Sequence, residues 1–82
     1  MHDRAYEDLA EIVRSRRRTL GLRQTELAEL ARCSTRFVHT IEAGKATLRL
    51  DKLIDVLAVL GLGLRVGPGR GLEVDERLRS AP

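Results

Sequence analysis

Few side chains in this sequence could carry out catalysis or hold a metal ion. His2 and His39 are its two histidines, and Cys33 is its one cysteine. A structural zinc site needs four such ligands at suitable spacings, and no glycine-rich phosphate loop opens a helix. The carboxylates of Asp75 and Glu76 fall in a C-terminal stretch predicted to be mobile. The sequence therefore predicts no enzyme, no catalytic residue, no metal site and no cofactor.

A second kind of chemistry is recognition, and one predicted helix offers it. Its polar side chains lie opposite the apolar pair Val38 and Ile41, and they are Thr35, Arg36, His39 and Thr40. Such groups can donate to and accept from base edges, and arginine can hold a guanine with two hydrogen bonds. Two interpretations of His39 stay open, a contact in a DNA groove or a helix residue that faces solvent.

The elements that must position these side chains follow from the stretch 24–45. Leu27, Ala28, Leu30 and Ala31 are spaced as one apolar face of a helix that begins near Gln24. Ser34 suits the N-cap of the next helix, over 35–43, and Gly44 suits its end. Two short helices joined by a tight turn form a helix-turn-helix.

Helices are predicted on both sides of this pair. Apolar residues fit a helix over 5–20 that ends at Gly21, and another over 50–60 that ends at Gly61. The second of these buries one face, formed by Leu50, Leu53, Ile54, Leu57 and Leu60. The first ends in a cluster of arginines that either faces solvent or partly contacts phosphate; they are Arg14, Arg16, Arg17 and Arg18. Lys45 and Arg49, in the loop between helices, could also meet phosphate.

Residues after 61 change pattern. Leu62, Leu64 and Val66 alternate with Gly63 and Arg65, which is typical of a half-buried strand. We expect this strand to have no partner within its own chain and to pair with a second copy; the alternative is an extended tail. The predicted organisation is a DNA-binding domain over 1–61, a dimerisation strand over 62–67 and a flexible tail over 68–82.

Composition narrows the class of protein. The 82 residues carry 15 Lys and Arg against 12 Asp and Glu, a net charge of +3 that is compatible with nucleic acid. With one cysteine and no apolar run long enough for a bilayer, the sequence predicts a cytoplasmic protein without a membrane partner. Its only aromatic residues are Tyr6 and Phe37, so base stacking on a single strand is not expected. We expect Phe37 to pack rather than to contact a thymine methyl, and Cys33 to be a buried turn residue.

The stretch from Arg17 to Leu60 resembles the XRE family of Cro and phage-repressor helix-turn-helix domains. The residues that carry the resemblance are Leu20-Gly21-Leu22, Gln24, Glu26-Leu27-Ala28, Ala31, Ser34, Val38, Ile41-Glu42, Gly44-Lys45 and Leu60-Gly61. It implies an all-α, lambda-repressor-like domain of four helices, followed here by a short C-terminal strand used for dimerisation. Two residues depart from the family pattern, since Arg32 replaces the usual turn glycine and Arg23 replaces the usual cap.

A narrower resemblance is to the HipB-type antitoxins, and among them to the small y4mF-like members. It is carried by Ile12-Val13-Arg14, Arg17, Arg36-Phe37-Val38, the stretches 42–45 and 50–53, and the strand over 62–66. It implies a homodimer that binds a palindromic operator, represses its own operon and binds a HipA-like serine/threonine kinase toxin. The alternatives are a stand-alone XRE regulator and a protein-interaction inhibitor module with minor DNA binding.

The resemblance also implies roles for single residues. Those expected to face bases are Ser34, Thr35, Arg36, His39 and Thr40; those expected to contact phosphate are Arg18, Arg23, Gln24 and Lys45. Arg17 and Glu42 carry opposite charges at positions that pair in the family, so we expect an ion pair between the first and third helices.

Overall fold

The computed structural model describes residues 4–45, 48–66, 68 and 72–75. Four helices come first, α1 (Arg4–Thr19), α2 (Gln24–Ala31), α3 (Thr35–Glu42) and α4 (Leu50–Val59). Two strands follow, β1 (Gly63–Val66) and β2 (Leu72–Asp75). The four predicted helices and the all-α helix-turn-helix fold class are confirmed. Among the described residues, no helix is both long and apolar enough to cross a bilayer.

One apolar core joins the four helices. Its side chains recur at helical spacing on each helix, and the largest fully buried ones are Val13, Leu27, Val38, Ile41, Val56, Leu57 and Leu60. Phe37 packs against this core, as predicted, and Cys33 also packs against it but is partly buried rather than buried. Because α2, α3 and α4 share the same core, α3 cannot shift without opening it.

The buried face of α4 differs from the predicted one. Leu53 and Leu57 are buried, but Leu50 and Ile54 are 53% and 48% exposed, while Val56 is fully buried. Positions 53, 56, 57 and 60 form the stripe that faces the core, and Leu50 and Ile54 lie at its edge. Leu30 of α2, which we expected on the apolar face, is 60% exposed because it too lies at the edge of the face that packs on the core.

Local signals in the sequence explain how the helices begin and end. The Ser34 hydroxyl accepts from the Phe37 backbone N–H at 3.0 Å, which caps α3 as predicted. The Arg23 side chain makes no cap hydrogen bond at α2. Instead the Glu26 carboxylate accepts from the Arg23 N–H at 2.8 Å, so the helix start is still held. Gly44 follows α3 with φ of 75°, the left-handed conformation expected there.

The turn between α2 and α3 is strained at Arg32. This residue has φ of 59° and ψ of 44°, a conformation that costs a residue with a Cβ atom about 1 kcal/mol relative to glycine. The turn is held in place because the Cys33 N–H donates to the Ala28 carbonyl at 3.0 Å. In addition, Lys52 Nζ donates to the Arg32 carbonyl at 3.2 Å.

Strands β1 and β2 form an antiparallel hairpin, in which Leu64 lies opposite Val74 and Arg65 opposite Glu73. Our expectation that β1 has no partner in its own chain is therefore wrong. Residues 72–75 form a strand, although we expected a flexible tail over 68–82. The hairpin is attached to the helices because Leu62 is buried and Leu64 packs against the core. The rest of the predicted tail, apart from residue 68, lies outside the described residues.

Replacing Arg32 by glycine should stabilise the domain. Glycine adopts positive φ without the Cβ clash, and the backbone hydrogen bonds of the turn stay in place, so we expect a gain of roughly 0.5–1 kcal/mol. In a domain of this size the melting temperature should rise by a few degrees. Arg32→Val is the matched control and should lower it, since a β-branched side chain tolerates positive φ least. A glycine variant that melts below the wild type would contradict the strain.

Candidate nucleic-acid interface

The outer face of α3 carries the residues expected to contact bases. Ser34, Thr35, Arg36 and His39 are exposed, and Thr40 is half-buried. Val38 and Ile41 anchor the opposite face in the core, with 0% and 1% exposure. A short helix held in this way presents its polar residues in a fixed direction, as recognition by base contacts requires.

Two of these hydroxyl groups are partly engaged within the protein. The Thr40 hydroxyl donates to the Arg36 carbonyl at 2.8 Å, so its proton is used while its oxygen can still accept. The Ser34 hydroxyl has the reverse arrangement, because its oxygen accepts in the cap and its proton can be donated. Thr35 and Arg36 are thus the side chains of the first turn with the fullest capacity for base contacts.

The expected ion pair between Arg17 and Glu42 is present and nearly buried. Arg17 Nε donates to Glu42 Oε2 at 2.6 Å, and Arg17 Nη2 donates to Glu42 Oε1 at 2.9 Å. The two side chains are 11% and 5% exposed. Arg17 Nη1 also donates to the Leu22 carbonyl at 2.8 Å, and Gln24 Nε2 donates to Glu42 Oε1 at 3.1 Å. This network joins α1, the start of α2 and the end of α3.

The network shifts the ionisation of both partners. Burial by itself would raise the pKa of the Glu42 carboxyl, but hydrogen bonds from Arg17 and Gln24 and the nearby guanidinium charges lower it below its ordinary value. The hydrogen bond to Glu42 raises the pKa of Arg17. Both groups stay charged at neutral pH, so the pair is a salt bridge there.

Two other arginines of α1 hold backbone carbonyls, a role that the sequence analysis missed. Arg14 Nη2 donates to the Glu42 carbonyl at 2.6 Å, and Arg14 Nη1 lies 2.8 Å from the carboxylate of Glu11. Arg16 Nε donates to the Leu60 carbonyl at 2.9 Å. Side chain spacing does not indicate which distant carbonyl will be left without a partner at the end of a helix, so the sequence carries no clear signal for these contacts.

A shallow cleft of about 240 Å³ lies where α1, the start of α2 and the end of α3 meet. We call it the arginine cleft, and it is lined by Arg14, Arg17, Arg18, Gln24, His39, Glu42 and Ala43. Two of the expected phosphate contacts, Arg18 and Gln24, belong to it, and so does His39, which we expected to face a base. Arg23 and Lys45 are exposed but do not line it.

Comparison with known proteins decides the family. A family model described as a helix-turn-helix domain matches residues 8–66. The chain belongs to this helix-turn-helix family. It is also similar to an uncharacterized HTH-type transcriptional regulator, y4mF, of Sinorhizobium fredii (strain NBRC 101917 / NGR234). The two are 40% identical over 63 residues, which is 76% of this chain and 83% of the relative. Together these matches support a DNA-binding regulator.

The helix-turn-helix motif of this domain consists of α2, the turn at Arg32 and α3, and Cys33 lies in the turn. Burial raises the pKa of the Cys33 thiol, so little of it is thiolate at neutral pH. Among the described residues, no group of three or more histidine, cysteine and acidic side chains could hold a metal ion.

Glu42→Ala should destabilise the helix-turn-helix domain in a pH-dependent manner. Removing the carboxylate leaves Arg17 nearly buried without its partner, and such losses are about 3 kcal/mol. At neutral pH the melting temperature should fall by roughly 10 °C or more. Because the folded-state pKa of Glu42 lies below its unfolded value, its contribution is complete above about pH 4.5 and is lost as the pH falls through the folded-state value. The difference between wild type and variant should therefore shrink below about pH 4.

Thermal melts monitored by circular dichroism, at several pH values, measure this difference. Asp55→Ala, which removes an exposed carboxylate of α4, is the matched control. Equal melting temperatures for the wild type and the Glu42 variant at neutral pH would show that the ion pair does not hold the helices together.

Proposed function

We propose that this domain is a transcriptional repressor that binds double-stranded operator DNA with sequence specificity. The observation that carries the proposal is the exposed polar face of α3, which is anchored in the core from behind and flanked by the arginine cleft. A helix in the major groove needs side chains for base edges, and it needs cations beside it that fix its register on the phosphates. The family match and the relative named as a transcriptional regulator support the same function.

Within this proposal, base contacts and phosphate contacts belong to different residues. Thr35 and Arg36 stand in the first turn of α3, so they are the principal candidates for base discrimination, together with Ser34 and Thr40. Lys45 and Arg23 are exposed cations outside the recognition helix. A cation on phosphate strengthens binding to any duplex, whereas an arginine on guanine strengthens binding to one sequence.

Arg36→Ala and Lys45→Ala should therefore weaken DNA binding in different ways. Arg36→Ala should lower the binding free energy by about 1–3 kcal/mol on the operator and by much less on a scrambled duplex. Lys45→Ala should weaken binding to both duplexes to a similar extent. It should also reduce the slope of log affinity against log salt concentration by about one. Fluorescence anisotropy titrations across a salt series, on the promoter of the protein's own gene, measure both effects. If the two variants lose affinity equally on both duplexes, this division of roles is wrong.

We also propose that the repressor acts as a homodimer formed through β1. In the described part of the chain the sheet has two strands, so each keeps one edge without a strand partner. A two-stranded hairpin is only marginally stable by itself. Antiparallel pairing of β1 with β1 of a second copy would extend it to four strands about a two-fold axis. Two recognition helices related by that axis suit a palindrome with half-sites about 34 Å apart or a multiple of that distance.

Leu64→Pro should give a monomer that has lost most of its operator affinity. Proline has no N–H to donate and interrupts strand pairing. Leu64→Ala is the matched control, because it shortens the side chain and keeps the backbone donor. Sedimentation of the wild type and both variants, with circular dichroism to check the helices, measures the outcome. A wild type that is monomeric at micromolar concentration, or a proline variant that remains dimeric, would rule out dimerisation through this strand.

The finer part of the proposal is that the repressor is the antitoxin of a type II toxin–antitoxin system with a HipA-like serine/threonine kinase. It is supported by the resemblance to HipB-type antitoxins and by exposed apolar residues outside α3. Leu50 and Ile54 lie on α4 beside the exposed carboxylates of Asp51 and Asp55. Arg49 pairs with Asp51 at 2.8 Å, so this surface carries little net charge, and exposed apolar side chains of this kind are typical of a contact with a protein. It could thus be covered by a kinase while α3 is bound to the operator.

Co-expression with the product of the adjacent gene tests this part. A kinase-like product that copurifies with the repressor and loses activity in the complex is the expected result. A repressor that binds its operator but no kinase would be a stand-alone regulator. A chain that inhibits the kinase but gives no gel shift on its own promoter would be a protein-interaction module. The same experiment can be carried out on a chain that lacks residues 76–82, because this deletion leaves the residues of β2 in place.

A further inference from the structure

We propose that Lys52 is a positioning residue for sequence recognition, and that it directs the first turn of α3 by holding the carbonyl of Arg32 in the turn between α2 and α3. This role rests on the proposed DNA-binding function and extends it to α4, a helix outside the helix-turn-helix motif. The contact that carries it is the hydrogen bond from Lys52 Nζ to the Arg32 carbonyl, at 3.2 Å.

The first turn of α3 is the part of that helix least held by the core. Val38 and Ile41 are buried, and they fix the middle and the end of α3. Thr35 and Arg36 come before these anchors and are exposed. Their direction therefore depends on residues 32–34, which connect α3 to the end of α2.

The path of this connection is set at Arg32. Its left-handed backbone, with φ of 59° and ψ of 44°, is less favourable for an arginine than the right-handed helical conformation. A right-handed Arg32 would continue α2 by one residue and would point both its carbonyl and the start of α3 in another direction. The observed turn thus depends on contacts that exist only in the left-handed conformation.

Lys52 supplies such a contact from a fixed position. The next residue of α4, Leu53, is buried in the core that also contains the inner face of α2, so the two ends of the hydrogen bond are held at a constant separation. An ammonium group is a stronger donor than a neutral group. Lys52 is also half-buried, which limits the competition from water for the Arg32 carbonyl.

Cys33 indicates that the turn lies against this side of α4. It packs on the core, and burial is the main reason that its pKa is raised. The charges of Lys52 and Asp55, three residues apart on α4, act on the same pKa, the first lowering it and the second raising it. Two charged groups of α4 are therefore close to the turn, as the Lys52 hydrogen bond requires.

Loss of the Lys52 contact should lower specific affinity more than non-specific affinity. If the first turn of α3 points in the productive direction for only a fraction of the time, the operator affinity falls in proportion to that fraction. Phosphate contacts from Arg23 and Lys45 do not depend on that direction. Binding to a scrambled duplex should therefore change little beyond the effect of removing one charge.

Lys52→Met removes the donor and keeps a side chain of similar length. We expect it to lower the operator affinity about tenfold and the affinity for a scrambled duplex about twofold, so the preference for the operator falls about fivefold. Lys52→Arg is the conservative variant and should keep most of the preference, since a guanidinium can donate to the same carbonyl. Fluorescence anisotropy on both duplexes measures these affinities, and circular dichroism checks that each variant is folded.

Arg32→Gly tests whether Lys52 acts through the turn. Glycine adopts the left-handed conformation without the penalty of a Cβ atom, so the turn then needs Lys52 less. In the double variant, the preference for the operator should lie within about twofold of that of Arg32→Gly alone. If Lys52→Met weakens binding to both duplexes equally, or lowers the preference by the same factor in both backgrounds, Lys52 does not act by positioning the turn.

Amide hydrogen exchange tests the same role without DNA. The Phe37 N–H donates to the Ser34 hydroxyl at the start of α3, whereas Ile41 lies near the end of the helix. Lys52→Met should speed exchange at Phe37 about fivefold and leave exchange at Ile41 nearly unchanged. Equal exchange rates at Phe37 in the wild type and the variant would overturn the proposal.

The affinities also separate failure of this role from failure of the proposed function. If the wild type shows no preference for the operator over the scrambled duplex, the proposed function fails, and the role of Lys52 fails with it. If the wild type discriminates and Lys52→Met keeps the full preference, only the role of Lys52 fails.

Discussion

The buried salt bridge between Arg17 and Glu42 is the constraint on which the rest of this structure depends. Two opposite charges with 11% and 5% exposure are stable only if their remaining hydrogen-bonding groups also find partners. The Leu22 carbonyl and the Gln24 amide satisfy that demand, which places the start of α2 beside α1. The Glu42 carbonyl in turn accepts from Arg14. The angle between α1, α2 and α3 is thus fixed by one polar network as well as by the apolar core.

Residues of this network serve both the stability of the fold and the expected contacts with DNA. Gln24 stabilises Glu42 and is also an expected phosphate contact, and Glu42 sets the charge of the cleft in which Arg18 lies. A substitution at one of these residues therefore affects both properties. Surface cations such as Lys45 are different, because they can vary without any effect on how the helices pack. In the candidate interface, the residues near α1 are therefore constrained by packing, whereas the exposed residues around them can vary.

The sequence predicts most of the fold because its signals are local. The caps at Ser34 and Gly44 and the apolar spacing of α3 depend on residues a few positions apart. The hairpin could not be predicted in the same way. The pairing of Leu64 with Val74 crosses a glycine-rich segment, and the alternation of apolar and charged residues over 72–75, although typical of a strand, is short and does not identify the partner strand. The same limit applies to the cleft, since the carbonyl contacts of Arg14 and the position of His39 depend on how distant helices meet.

The order of charges along α1 affects how the domain arrives at DNA. Glu7 stands in the first turn, whereas Arg16, Arg17 and Arg18 stand in the last. Asp8 and Glu11 follow Glu7, so the side-chain charge of α1 runs from mainly negative to positive along the helix. The field of a polyanion turns such a molecule before contact, so more collisions occur in a productive orientation and the association rate rises. The effect acts over about 10 Å at an ionic strength of 0.1 M. We therefore expect a helix outside the helix-turn-helix motif to contribute to the rate of association with DNA.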